Sequence, residues 1–178
     1  GKMPSQKIAN KIYRNTGNLS FTEQATQWGL ADPSFSNGAA YGDLDNDGDL
    51  DLVVNNVNQE AFIYRNNTET QTGNGYVGIQ LKGKSPNTFA IGSTIRVYQG
   101  DQIITREIIP SRGFQSSVDY KTLIGIGGRK VDSLVIIWPN RTYTTLSNPE
   151  LNKVHNLTYA DGLPVYTQSS MVESKGTL

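Results

Sequence analysis

Five aspartates stand at alternate positions in one short stretch of the chain, at Asp43, Asp45, Asp47, Asp49 and Asp51. Carboxylates held this close together repel one another unless a cation neutralises them. Calcium accepts roughly six to eight oxygen ligands at about 2.3–2.6 Å, which suits several monodentate aspartates together with a backbone carbonyl. The spacing therefore predicts a Ca²⁺ loop, with the Asp49 carbonyl and the other four side chains as its ligands.

The residues around this loop decide which kind of calcium loop it is. An EF-hand requires a bidentate glutamate at its twelfth position, which here is Val54, in the apolar run Leu50–Val54. That run alternates and then becomes β-branched, which is typical of a strand rather than a helix. The sequence thus predicts a calcium loop between two strands, with Gly48 at the sharp turn. A plain hairpin turn is the alternative, because Asp-Gly often forms one, but such a turn needs only one aspartate.

The composition indicates an all-β protein. Eighteen glycines and nine tyrosines accompany many Thr, Val and Ile residues, while helix-like stretches of Glu, Lys and Leu are few.

Sixteen basic residues balance sixteen acidic ones, so no net field favours a nucleic-acid partner. The chain contains no cysteine, which excludes disulfides and thiolate zinc sites. It also lacks an apolar stretch of about 18 residues, so we expect no membrane insertion.

A short repeat organises the first part of the chain. The sequence IYRN at residues 12–15 returns at residues 63–66, an interval of 63 − 12 = 51 residues, and periods of about 40–50 residues mark propeller blades. With SFTE, NGAAYGDLDNDGDLDLVVNN and the second IYRN, residues 11–67 resemble the FG-GAP-like repeat of the VCBS type. The resemblance implies a single β-propeller blade over residues 1–67, calcium on its hairpin loop, and upstream blades of the same polypeptide as partners. Chance recurrence of the tetrapeptide is the alternative.

The second part of the chain predicts a separate domain. After a polar linker at 68–75, alternating segments bounded by Gly, Pro or Asp predict a β-sandwich of about seven strands over 76–160. The wording AIGSTIRV, GFQSS and VDSLVIIWPN resembles the ASPIC/UnbV domain, which follows FG-GAP-like repeats in cartilage-acidic-protein-like chains and bacterial secreted proteins. The polar residues 161–178 predict a flexible tail.

Catalytic patterns are missing from the sequence. Gly-x-Ser-x-Gly is absent, and His155 is the only imidazole, which we expect to be structural or at the surface. The glycine-rich stretch GIGGRK at 125–130 is followed by a strand pattern rather than a helix, so it predicts a turn and not a phosphate site. The sequence therefore does not favour an enzyme.

Aromatic residues supply the remaining candidates. Trp28 and Trp138 lie near apolar segments and are predicted to be in the core. Phe114 stands in a polar loop with Arg112 and Gln115, and loops on a rigid scaffold often carry recognition. These three loop residues are the candidate ligand-binding residues.

Together these patterns and resemblances imply a non-catalytic, calcium-binding extracellular recognition or adhesion module that binds a protein or a glycan. We expect it to be the C-terminal fragment of a larger exported bacterial protein, located at the cell surface, in the periplasm or outside the cell, with a signal peptide upstream. Two alternatives stay open. The chain can be an accessory domain of a polysaccharide-processing enzyme, or a purely architectural cap of a β-propeller.

Overall fold

The computed structural model describes residues 6–68, 70, 73–113 and 115–167. This part of the chain contains fourteen β-strands, which confirms the all-β prediction. The described residues divide into two compact units, one within 1–44 and 50–66, the other within 45–49 and 67–178. No helix in the described ranges is long and apolar enough to cross a membrane.

The first unit contains seven short strands in three small sheets. Strands β1 and β4 form one antiparallel pair, β2 and β3 form a second, and β5, β6 and β7 form a three-stranded antiparallel sheet. The two copies of the repeated tetrapeptide lie at the start of β2 and at the end of β7. The strands are β1 (Ile8–Ala9), β2 (Tyr13–Gly17), β3 (Ser20–Glu23), β4 (Pro33–Ser34), β5 (Ser36–Gly42), β6 (Asp51–Asn56) and β7 (Phe62–Tyr64).

The hairpin of β5 and β6 holds the acidic loop. Gly42 on β5 pairs with Asp51 on β6, so residues 43–50 leave and re-enter the sheet at neighbouring points. Further along the hairpin Ala39 pairs with Val54, whose side chain is buried. The predicted loop between two strands is therefore confirmed.

The second unit contains seven strands in two sheets. One sheet has the order β10-β9-β12-β13, and the other has the order β11-β8-β14, in which β14 runs parallel to β8. Every predicted strand of this half overlaps an observed one, which confirms the sandwich of about seven strands. The strands are β8 (Gly75–Lys82), β9 (Thr94–Gln99), β10 (Gln102–Glu107), β11 (Thr122–Gly127), β12 (Ser133–Ile137), β13 (Tyr143–Ser147) and β14 (Lys153–Thr158).

The core of the second unit is built by residues of both sheets. Alternate side chains along each strand point to the same face, so Val77 and Ile79 on β8 pack with Ile95 on β9 and Leu134 on β12. Each of these four side chains is fully buried. Trp138 joins the same core, as predicted, and its indole Nε1 donates a hydrogen bond to Thr144 Oγ1 at 2.9 Å.

The prediction that Trp28 lies in the core is wrong, because its side chain is 47% exposed. Trp28 lies in a turn in which its N–H donates to Gln24 O at 2.9 Å and Leu30 N–H donates to Ala25 O at 2.7 Å. Gly29 closes this turn with a φ of +73°. Ala25 takes the buried position, at 1% exposure, and the tryptophan two residues before Leu30 extends outward.

The first residues of the predicted tail, up to 167, make defined contacts. Val165 forms a β-bridge with Thr142, and Tyr166 N–H donates to Arg141 O at 2.7 Å. The Tyr166 ring meets Tyr143 edge to face at 6.1 Å, so this segment is anchored to the β12–β13 turn and the start of β13. Residues 168–178 lie outside the described part of the chain.

Two stretches between strands were singled out in the sequence, the glycine-rich turn and the linker. Gly127 ends β11 with a φ of +61°, and the glycine-rich residues 125–130 run into a turn before β12, as predicted. In the predicted linker, Thr68 and Thr70 have helical backbone, and residues 69, 71 and 72 lie outside the described ranges. Strand β8 already begins at Gly75.

Candidate metal centre

Two residues in the left-handed region shape the tip of the acidic loop. Asn46 has a φ of +62° and Gly48 a φ of +95°, and these angles reverse the chain sharply. Asparagine and glycine adopt such positive φ angles at a lower steric cost than other residues. A Cβ at Gly48 would lie 2.0 Å from both Cε1 and Cζ of Tyr76. Residues 45–49 and Tyr76 belong to the same compact unit, and only glycine allows this close approach.

The loop brings three carboxylates together. Asp43, Asp45 and Asp47 each offer one oxygen, and these oxygens all lie within 4.8 Å of one another. Two ligands of a single Ca²⁺ at about 2.4 Å can be at most about 4.8 Å apart, so the spacing fits one cation. Asp43 and Asp47 are half-buried and Asp45 is exposed, and the Oδ1 atom of Asp43 is shielded from solvent. Hard oxygen donors of this kind are the ones that calcium prefers.

The fifth predicted ligand, Asp51, closes the base of the loop. Its side chain is 2% exposed, its Oδ2 accepts the N–H of Leu44 at 2.9 Å, and its Oδ1 accepts the N–H of Asn66 at 2.9 Å. Both carboxylate oxygens therefore bind backbone donors, one at the start of the loop and one just after β7. Asp51 lies outside the three-carboxylate cluster. It stabilises the loop because its carboxylate accepts hydrogen bonds from backbone N–H groups.

Asp49 also lies outside the cluster. Its Oδ2 accepts the N–H of Thr68 at 3.2 Å, and its own N–H donates to Asp47 Oδ1 at 3.2 Å. The second contact orients one of the three clustered carboxylates. The predicted five-aspartate set thus divides by position into three clustered side chains at the tip and two that brace the backbone around them.

The second candidate set, around the loop at 111–117, has a different structure. A bridge joins Ser111 to Ser117, and Arg112 N–H donates to Ser116 O at 3.0 Å. The Arg112 guanidinium donates to backbone carbonyls of its own loop, including Ser111 O at 2.8 Å. Gln115 is exposed with a φ of +52°, and Phe114 lies outside the described residues. Arg112 therefore braces this loop, and Gln115 faces solvent at its turn.

The single histidine makes a local contact. His155 is half-buried on β14, and its Nε2 lies 2.9 Å from Glu150 O, five residues earlier. The contact ties the strand to the turn that precedes it. It fits the structural or surface role predicted for this side chain.

The described residues form a β-rich module, and its two family matches are typical of modules of extracellular type. Residues 5–54 match the model of the FG-GAP-like repeat, and residues 83–164 match the family described as ASPIC and UnbV. The resemblance seen in the sequence is thereby confirmed: an FG-GAP-like repeat, which is a propeller-blade repeat, precedes an ASPIC/UnbV domain. Among curated proteins, none matches the chain significantly.

Proposed function

We propose that this chain is a non-catalytic, calcium-binding recognition module of an exported protein, with a protein or a glycan as its ligand. The carboxylate cluster of Asp43, Asp45 and Asp47 on a loop between two strands carries the proposal. The FG-GAP-like match over the same residues supports it, because repeats of this kind often bind calcium and are typical of exported proteins.

Bound calcium supplies charge neutralisation at the loop tip. The three clustered side chains and the Asp49 carbonyl would hold it, with water as a further source of oxygen ligands. Asp51 already closes the loop base with two backbone hydrogen bonds at 2.9 Å, so the loop is preorganised and little ordering entropy opposes binding. The proposed role of the cation is to hold the loop in one conformation by neutralising the repulsion between its carboxylates.

The non-catalytic part of the proposal rests on the side chains themselves. Among the described residues, the aspartate trio is the one group of three or more His, Cys, Asp or Glu side chains with metal-binding spacing. The only imidazole, His155, contacts a backbone carbonyl close by in sequence. General acid–base chemistry needs titratable groups that converge on a substrate. The sequence contains no Gly-x-Ser-x-Gly motif and no cysteine, so the proposal assigns the chain no such chemistry.

Thermal unfolding with Ca²⁺ and with chelator tests the proposal. A ligand that binds only the folded state at about 100 times its Kd adds about 2.7 kcal/mol, which corresponds to about 5–10 °C in Tm. We expect this rise in the wild type and its loss in Asp45→Asn and Asp47→Asn. Asp101→Asn is the matched control, because Asp101 is 92% exposed and lies in the other half of the chain. A wild-type curve that is the same with calcium and with chelator would refute calcium binding.

One observation favours a second candidate, the architectural cap of a propeller. Large apolar side chains of the first unit are exposed, among them Ile8 and Ile63, each at 70%. Surfaces of this kind suit packing against further blades of the same polypeptide. This candidate predicts that the chain binds calcium and no further ligand. Binding of a protein or a glycan would therefore rule out a purely architectural role.

A further inference from the structure

A cavity of about 230 Å³ opens at one end of the second unit. Three segments line it: the loop after β8, the turn after β12 and the residues after β14, which contribute residues 83–90, 138–140 and 159–161. Strand β8 belongs to one sheet and β12 to the other, so the cavity lies where loops from both sheets meet. Ligand sites are commonly built from loops of this kind on a rigid scaffold.

The inner side of the cavity is apolar and fixed. The rings of Trp138 and Tyr159 meet edge to face with centroids 5.5 Å apart, and Trp138 is 1% exposed. Its indole hydrogen bond to Thr144 holds the ring in place. Ala90, also 1% exposed, completes this side. Trp138 and Ala90 are too buried to contact a ligand themselves, so they support the cavity from behind. The half-buried Tyr159 ring is the aromatic surface that a ligand would reach.

The loop wall is braced in the same way. Asn87 Oδ1 accepts the Ile91 N–H at 2.9 Å, and Asn87 Nδ2 donates to the Ile91 carbonyl at 2.8 Å. A Cβ at Gly83 would lie 2.2 Å from Asn87 O, so glycine is required for the loop to close this tightly. The Gly83 N–H donates to Thr88 O at 2.8 Å across the same loop. The wall thus has a defined shape before any ligand binds.

The rim carries polar groups with unused hydrogen-bonding capacity. Lys84 Nζ lies 2.8 Å from both carboxylate oxygens of Asp161, and Asn140 Nδ2 donates to Tyr159 Oη at 3.0 Å. Asn140 Oδ1 accepts from Thr142 Oγ1 at 2.8 Å, which fixes the direction of its amide. An amide NH₂ has a second proton, a phenol can still donate, and a carboxylate has further lone pairs. Donors and acceptors therefore stand side by side around the opening.

Charge at the rim selects the class of ligand. The lysine and aspartate charges cancel, so neither an anion nor a cation gains net attraction. A sugar offers adjacent hydroxyls that both donate and accept, and its C–H face packs on apolar and aromatic surface. Pockets for drug-sized ligands measure roughly 300–1,000 Å³, so 230 Å³ suits a single ring-sized unit. A protein anchor is usually an aromatic or arginine side chain, and an aromatic ring would cover the donors and acceptors of this rim without pairing them.

We infer that this cavity binds one neutral sugar unit of a glycan. The inference rests on the proposed function in one respect, that the chain is a recognition module, and it chooses a glycan over a protein as the ligand. It names residues that the sequence patterns did not single out: Lys84, Asn140, Tyr159 and Asp161.

The test is protein-observed NMR of the full chain with neutral methyl glycosides of glucose, galactose, mannose and N-acetylglucosamine, each titrated at millimolar concentration. We expect at least one of them to give saturable shifts confined to the backbone amides of 83–90, 138–142 and 159–161. Glucuronate and glucosamine, one anionic and one cationic, should bind no more tightly than that glycoside, because the rim charges cancel.

Two substitutions sharpen the test. Tyr159→Phe keeps the ring against Trp138 but removes the hydroxyl, and we expect it to weaken neutral-sugar binding about tenfold. Asp161→Asn leaves the Lys84 charge unbalanced, so it should weaken the neutral sugar and strengthen glucuronate. Glu150→Gln is the matched control, because it breaks the comparable exposed ion pair with Lys153 at 2.6 Å and should change neither ligand. Dispersed amide spectra establish that each variant is folded.

Several outcomes would overturn the inference: no saturable shifts with any neutral glycoside, shifts centred elsewhere, or equal effects of Asp161→Asn and Glu150→Gln. Each titration is run with Ca²⁺ and with chelator. Sugar binding without any calcium-dependent Tm rise would refute only the proposed calcium site. A calcium-dependent rise without sugar binding would refute only the sugar site.

Discussion

The Tyr64 hydroxyl lowers the stability of the first unit, because it is buried without a hydrogen-bond partner in the described part of the chain. Its hydroxyl is shielded from solvent and has no hydrogen-bond partner among the described residues. Burial raises the pKa of Tyr64 above its ordinary value of 10.0, and the nearby Asp32 carboxylate raises the pKa further. A buried hydroxyl without a partner costs about 1–3 kcal/mol of desolvation. Removing that hydroxyl should therefore cost the fold nothing.

We predict that Tyr64→Phe leaves the free energy of unfolding unchanged or raises it by up to about 1 kcal/mol at pH 8. Because the folded pKa lies above the unfolded one, the neutral tyrosine favours the folded state, and this contribution is complete below pH 10. It is lost as pH rises through the folded pKa. Urea unfolding at pH 8 and pH 10.5 should show a smaller alkaline loss in Tyr64→Phe than in the wild type. Tyr13→Phe, at a 57% exposed position, is the control. A loss above about 1 kcal/mol at pH 8 would contradict the account.

Gly48 is the second test at the residue scale. Gly48→Ala places a Cβ 2.0 Å from the Tyr76 ring on a backbone with a φ of +95°. Gly113→Ala, at a φ of +67° with nothing within 4 Å, carries only the backbone penalty. We expect about 1 kcal/mol of destabilisation at Gly113 and at least about twice that at Gly48, measured by urea unfolding. Equal losses would mean that the ring moves aside freely.

The β5–β6 hairpin unites two kinds of aspartate, and they should respond differently to calcium. Asp51 stabilises the loop through two backbone hydrogen bonds whether or not a cation is present. Asp45, exposed at the tip, adds a like charge to its neighbours, and a bound cation would neutralise that charge. In the β5–β6 hairpin, the aspartate at the base therefore stabilises the fold, and the aspartates at the tip are the candidate cation ligands.

In chelator, Asp51→Ala should lower the free energy of unfolding by about 1–3 kcal/mol, because two backbone donors lose their acceptor. Asp45→Ala should lower it more in the presence of calcium than in chelator, because only the wild type gains stability from the bound cation. Chemical unfolding of both variants under both conditions measures the difference. If Asp51→Ala is harmless in chelator, the hydrogen bonds assigned to it contribute nothing to the fold.

At the scale of the whole molecule, sequence patterns predicted whatever depends on local periodicity. The seven strands of the second unit and the loop between β5 and β6 follow from alternation and from aspartate spacing. The position of Trp28 was not predictable, because a single turn through Gly29 decides which side chain of that segment is buried. Asp51 carries the same charge as its neighbours, and only the strand register reveals that it binds backbone donors.

The cavity of the second unit was not predictable for a related reason. Its rim residues Lys84, Asn140 and Asp161 come from three loops far apart in the sequence. They meet because β14 returns parallel to β8 and brings its end beside the end of that strand. Sequence periodicity indicates strands but does not fix the order in which they pair, so a site made by topology leaves no local pattern.

The central claim, that the clustered carboxylates bind one calcium ion, is tested most directly by isothermal titration of the chelator-treated chain with Ca²⁺. The three oxygens within 4.8 Å of one another predict one ion per chain, with binding lost in Asp45→Asn and retained in Asp101→Asn. Absence of binding heat in the wild type, or an unchanged isotherm in Asp45→Asn, would contradict the claim.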